Sequence, residues 1–200
     1  MGKKKYVDEL ENLFKKSPVV NASSIYRLVR REKKIEYYPK QLVRNLILKG
    51  KIKKLAKGCY TAYDEPSLSV FCFSPSYLGL QDALSFHEFW EQETIPIIIT
   101  SKKVRHGLRK VMGINVLIKR IDKKYIFGFN LEKQGEFYLP YSDAEKTFID
   151  MIYYNQKMTG EVQKNIFKNI NPKKLSSYLK HYPKKFREKV IRQFKKETFK

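Results

Sequence analysis

The sequence predicts an α+β protein with a start of three helices and a β-ribbon, a small mixed α/β middle and a basic helical end. Three observations predict this. Apolar residues recur at helical spacing near both ends, while short β-rich runs occupy the stretch between Ile95 and Leu139. Pro39, Gly50, Pro172 and Pro183 sit where helix starts and stops are expected. Charge is distributed unevenly: residues 1–63 hold 17 Lys/Arg against 5 Asp/Glu, residues 64–160 hold 12 of each, and residues 161–200 hold 13 against 3. The formal net charge of +22 therefore resides at the two ends. A lysine-rich genome or a heat-adapted host would raise lysine throughout and would not leave the middle neutral. Two basic ends imply surfaces for a polyanion. With 42% hydrophobic and 14% aromatic residues, the chain has material for a core, which excludes wholesale disorder. The expected divisions are 1–65, 66–160 and 161–200.

In the first division, Val7, Leu10, Leu13 and Phe14 predict a helix over Tyr6–Ser17. The stretch SPVVNASS interrupts it, and Asn21 or Ser23 caps a second helix carrying Ile25, Leu28 and Val29. KKIEYY is a polar turn, and Pro39 opens a third helix, PKQLVRNLILKG, ending at Gly50. Leu42, Val43, Leu46 and Ile47 form its apolar stripe, with Lys40, Gln41, Arg44, Asn45 and Leu48 opposite. KGKIKKLAKGCYTAY then reads as a two-stranded ribbon, with Ile52, Leu55 and Tyr60 on one side and Lys49, Lys51, Lys53, Lys54 and Lys57 along its length. Three helices followed by a ribbon is the order of a winged helix-turn-helix. The expected partner is double-stranded DNA. Lys40, Gln41, Arg44 and Asn45 have the donor geometry for base edges, and the five ribbon lysines suit phosphates, which give affinity and register. A helical bundle with a solvated basic face, or a protein-docking winged helix, is the plainer alternative.

In the middle, Leu68–Phe73 reads as extended, and Ser76 leads into a helix carrying Leu78, Leu80, Ala83, Leu84, Phe86 and Phe89. Ile95–Thr100, Ile114–Ile121 and Tyr125–Asn130 are strand candidates, and EFYLPYS adds a fourth. Ser142 or Asp143 caps a helix with the stripe Ala144, Phe148, Ile149, Ile152 and Tyr153. Together KGCYTAY, SYLGLQDALSFHEFW, IPIIITSKKVR, YIFGF and above all YSDAEKTFIDMIYY resemble the AbiEi antitoxins from about Asn21 to Tyr154. Those proteins are winged-helix repressors of type IV toxin–antitoxin, or abortive-infection, operons. The resemblance implies an autorepressor on operator DNA, often cooperative on inverted repeats, whose carboxy-terminal region opposes a nucleotidyltransferase toxin. A monomer or weak dimer, cooperative on DNA, fits that expectation.

Catalytic signatures are missing. His87, His106 and His181 stand far apart, with no HExxH, Walker loop or GxGxxG, so neither a metal nor a cofactor is expected. Glu145, Lys146 and Asp150 lie on one helix, where Lys146 and Asp150 are four apart and read as a surface ion pair worth a few tenths of a kcal/mol. The expectation is a protein that is not an enzyme. The alternative from another class is an RNA-binding or nucleic-acid-processing enzyme that uses the winged helix as a substrate clamp.

A second basic surface is a candidate at Lys102, Lys103, Arg105 and Arg109, and at Lys184, Lys185, Arg187 and Arg192 in the final helices. It serves either a second DNA contact, an acidic partner, or solvation alone. The sequence shows neither a signal peptide nor a run of apolar residues long enough to span a bilayer. Cys59 and Cys72 alone are too few for a disulfide scaffold or a four-cysteine zinc site. A cytoplasmic protein without a membrane partner is expected.

Overall fold

The computed structural model describes residues 2–30 and 38–198. The chain is α+β and divides into two compact units, one made of residues 1–73 with 109–116, the other of 74–108 with 117–200.

In the first unit, α1 (Gly2–Lys16), α2 (Ala22–Arg30) and α3 (Tyr38–Leu48) precede a ribbon of β2 (Lys53–Ala56) and β3 (Cys59–Thr61). The expected turn KKIEYY lies outside the described residues, apart from Tyr38. A two-residue strand, β1 (Val20–Asn21), pairs antiparallel with β3, so the sheet order is β1-β3-β2. An isolated hairpin is marginal in water; this one gains a third strand and a helical bed. Leu10, Phe14, Ile25, Val29, Leu42, Val43, Leu46 and Ile52 form one buried cluster beneath it. Ile52 belongs to that cluster and Tyr60, half-buried and paired with Val20, packs against it, as expected; Leu55, Cys59 and Thr61 are buried outside the cluster. Cys59 is disulfide-bonded to Cys72, an unforeseen cross-link between β3 and the segment that follows. That segment, Pro66–Phe73, is a 3-10 helix and not extended. Pro66 opens it, and the Ser69 hydroxyl donates to the Pro66 carbonyl at 2.7 Å, a local bond that an extended chain could not make.

A second sheet, which lies in the second unit except for residues 109–116 of β6 and β7 in the first, is mixed, order β6-β7-β5-β4-β9-β8. Its strands are β4 (Ser76–Leu78), β5 (Ile97–Thr100), β6 (Gly107–Val111), β7 (Ile114–Arg120), β8 (Phe129–Gln134) and β9 (Phe137–Ser142). β4 pairs antiparallel with β5 and parallel with β9, and β5 runs parallel to β7. The strands expected at Ile95–Thr100, Ile114–Ile121 and EFYLPYS are present as β5, β7 and β9, whereas two other expectations need correcting. Ser76 starts a buried strand, and the helix behind it, α4, covers only Gln81–Phe86. Tyr125 ends a short 3-10 turn, so β8 starts later, at Phe129. Asp122 caps that turn by accepting from the Lys124 amide, which takes Lys123–Tyr125 out of the strand. Four more helices follow: α5 (Ala144–Tyr153), α6 (Gly160–Asn169), α7 (Pro172–Leu179) and α8 (Lys184–Thr198). Asp143 caps α5 and Asn171 caps α7, with Pro172 in the first turn of α7. The last three helices are core-forming: Val162, Ile166, Leu175, Leu179, Tyr182 and Val190 share one buried cluster with Tyr77, Ile99 and Phe148.

Candidate nucleic-acid interface

The exposed face of α3 is set by its stripe. Leu42, Val43 and Leu46 are buried, which turns Lys40, Gln41, Arg44 and Asn45 outward, all four exposed. Ile47, expected in the stripe, lies at its margin and is 37% exposed. The helix ends in a Schellman motif. Gly50, at φ +67°, donates its amide to the Ile47 carbonyl at 2.9 Å, and the Lys51 amide reaches Leu46 at 3.0 Å. This cap fixes the angle at which the chain leaves α3 for the ribbon.

The five ribbon lysines are not equivalent. The Lys51 ammonium pairs with the Glu11 carboxylate of α1 at 2.6 Å, and that hydrogen bond lowers the Glu11 pKa. Lys53 pairs with Asp64 just beyond the ribbon. Lys49, Lys54 and Lys57 are exposed and form no ion pair among the described residues. A polyanion would meet these three at no electrostatic cost, whereas Lys51 and Lys53 must first give up a carboxylate.

The second basic group is divided among different elements. Lys102, Lys103 and Arg105 are exposed on the loop before β6, and Arg109 stacks over the Phe73 ring at 5.3 Å. Lys184, Lys185 and Arg192 are exposed on α8, but Arg187 is half-buried beside a groove of about 400 Å³ between α7 and α8, lined by Leu175, Leu179, Lys184 and Ile191 among others. The Arg187 Nε is buried without a hydrogen-bond partner.

The Lys146–Asp150 pair expected at the surface is fully buried. The Lys146 ammonium bonds Asp150 and the Tyr182 hydroxyl (3.1 Å), and lies 5.3–5.9 Å from the centres of the Tyr77, Phe127 and Tyr182 rings. Tyr77 donates to Asp150 at 2.7 Å. Burial pushes the Lys146 pKa down and that of Asp150 up, because each charge has lost its water; their mutual attraction opposes both shifts. Asp143 accepts from the Lys146 amide and the Tyr178 hydroxyl, and Lys174 bridges Asp143 and Glu145 at 3.1 Å each. Burial alone would lower Lys174, but the hydrogen bonds its ammonium donates to these carboxylates outweigh it and raise its pKa. Every member of this network has a protein partner and Lys146 is closed to solvent, so the cluster fastens α5 to the α7–α8 turn. Among the described residues no group of three or more His, Cys, Asp or Glu is placed to hold a metal ion, and no helix is long and apolar enough to cross a membrane.

No protein-family profile and no curated protein matches the chain. The fold is similar to that of the RV2827C protein from Mycobacterium tuberculosis, known from a crystal structure, with a TM-score of 0.59 at 12% identity over 96% of this chain and 77% of that one. At that identity the likeness is one of fold.

The sequence led to the exposed face of α3 but not to the carboxylates that occupy Lys51 and Lys53. Glu11 lies 40 residues from Lys51; only its place on an amphipathic helix that must pack near the ribbon pointed to it.

Proposed function

We propose that this chain is a sequence-specific DNA-binding transcriptional regulator whose first unit is a winged helix-turn-helix. α3 is the recognition helix and the β2–β3 ribbon the wing. The observation that carries this reading is the α3 face itself: Lys40, Gln41, Arg44 and Asn45 all point to solvent from one side of a helix whose other side is core, directly before a lysine-bearing ribbon. In this role Arg44 and Gln41 read base edges, while Lys49, Lys54 and Lys57 grip phosphates. The resemblance of YSDAEKTFIDMIYY and its companion segments to AbiEi supports a more particular reading, an autorepressor and antitoxin that opposes a nucleotidyltransferase toxin without catalysis of its own.

Fluorescence anisotropy of the full chain on the DNA upstream of its own gene tests the proposal, with scrambled duplex and single-stranded RNA alongside across a salt series. The expected result is binding to the upstream duplex at least ~10³-fold tighter than to scrambled DNA. Equal affinity for all three, collapsing together with salt, overturns the regulator and favours an RNA-binding or processing role.

A further inference from the structure

The α3 face that carries four polar side chains also carries Leu48. It is 74% exposed, the most exposed large apolar side chain among the described residues. At about 100° per residue, Leu48 falls between Arg44 and Gln41 around the helix axis. It is the last residue of α3, and the Schellman bonds from Gly50 and Lys51 hold the turn that contains it, so its exposure belongs to an ordered helix end. A face that only solvates charge gains nothing from a leucine in line with Arg44 and Gln41. A face that enters the major groove does, because thymine presents a C5-methyl group there, the one apolar feature among donors and acceptors. RNA lacks that methyl, and its A-form major groove is too narrow for side chains to read.

We infer that Leu48 packs against a thymine methyl, and hence that the nucleic acid bound by α3 is thymine-containing B-form duplex. The inference rests on the recognition-helix reading above and names the ligand of that same face. Leu48 lies four residues beyond Arg44, roughly 6 Å along the helix, or about two steps of 3.4 Å along a strand. The contacted thymine therefore lies within about two base pairs of the pair read by Arg44.

The test begins by selecting the preferred site of the full chain from a library of random-sequence duplexes. Each thymidine of that site is then replaced singly by deoxyuridine, which removes the methyl and keeps the pairing. One replacement is expected to weaken binding about fourfold, the value of one buried methyl group. In Leu48→Ala the same replacement is expected to be neutral. Arg44→Ala locates the neighbouring pair, since its loss is expected to relax specificity within two positions of that thymine. A selected site whose deoxyuridine replacements are all neutral overturns the assignment of Leu48 and leaves the regulator standing. So does a penalty that persists unchanged in Leu48→Ala. If sedimentation also shows a wild-type dimer and a monomeric Leu48→Ala, the leucine belongs to a self-association face instead. Failure to select any duplex overturns the regulator, and the assignment with it.

Discussion

Lys146 has no route to water, so everything that stabilises its charge must come from residues around it. Removing one member of such a pair strands the other. Lys146→Met or Asp150→Asn alone is expected to destabilise the chain by about 3–5 kcal/mol, whereas Lys146→Met with Asp150→Leu recovers most of that loss; urea unfolding followed by circular dichroism measures all three. Tyr178 adds a pH dependence. Burial, reinforced by its hydrogen bond to the Asp143 carboxylate, pushes its hydroxyl up to about 12 from an ordinary value of 10.0. The folded chain thus keeps a proton that the unfolded chain releases, so this contribution is complete below pH 10 and is lost as pH rises towards 12. Tyr178→Phe is expected to flatten that part of the stability profile in denaturant titrations at stepped pH. None of this was legible from the residue types. A Lys and an Asp four apart on a helix look like a solvated pair, and what makes them buried is Tyr77 and Tyr182, which lie 73 residues before Asp150 and 36 after Lys146.

At the level of elements, the most legible parts were those with strong periodicity and flanking punctuation. α3 follows from Leu42, Val43 and Leu46, and β7 and β9 from β-rich runs bounded by turns. β6 was not foreseen, because Gly107–Val111 reads as part of a basic loop and three of its five residues are Leu108, Arg109 and Lys110 with only Val111 buried. Pro66–Phe73 misled for the opposite reason: almost every residue is apolar or small, and a run buried on all sides has no period to distinguish strand from helix. For the proposed interface, Arg44→Ala and Gln41→Ala are expected to cost about 1–3 kcal/mol on the specific site and far less on random duplex. Lys54→Ala is expected to weaken both alike and to lower the salt slope by about one. Lys53→Ala is expected to lower it less, because Asp64 already occupies that ammonium. Anisotropy titrations from low to physiological salt separate these outcomes, and equal losses for Arg44→Ala on both duplexes would refute base reading.

Across the whole molecule, the basic carboxy-terminal residues are structural as well as charged. A helix reading of this region was available from Leu175, Leu179, Phe186 and Val190, but its destination was not, since no local pattern says which core an amphipathic helix joins. Deleting residues 171–200 removes Leu175, Leu179, Tyr182 and Val190 from the core and takes Tyr182 away from Lys146. The truncated chain is expected to lose cooperative unfolding of its second unit in a thermal melt, not merely to bind more weakly; an unchanged melt would show these helices to be appendages. The compact units themselves alternate along the chain, since residues 109–116 return to the first unit from within the second. The polypeptide therefore crosses between units three times, after Phe73, after Leu108 and after Val116. A single crossover in the gene cannot exchange one unit intact for a relative's version: a recombinant joined at Phe73 inherits its 109–116 hairpin from the other parent. Exchange of either unit whole by one recombination event is thereby obstructed, and two or more crossovers are needed to move it.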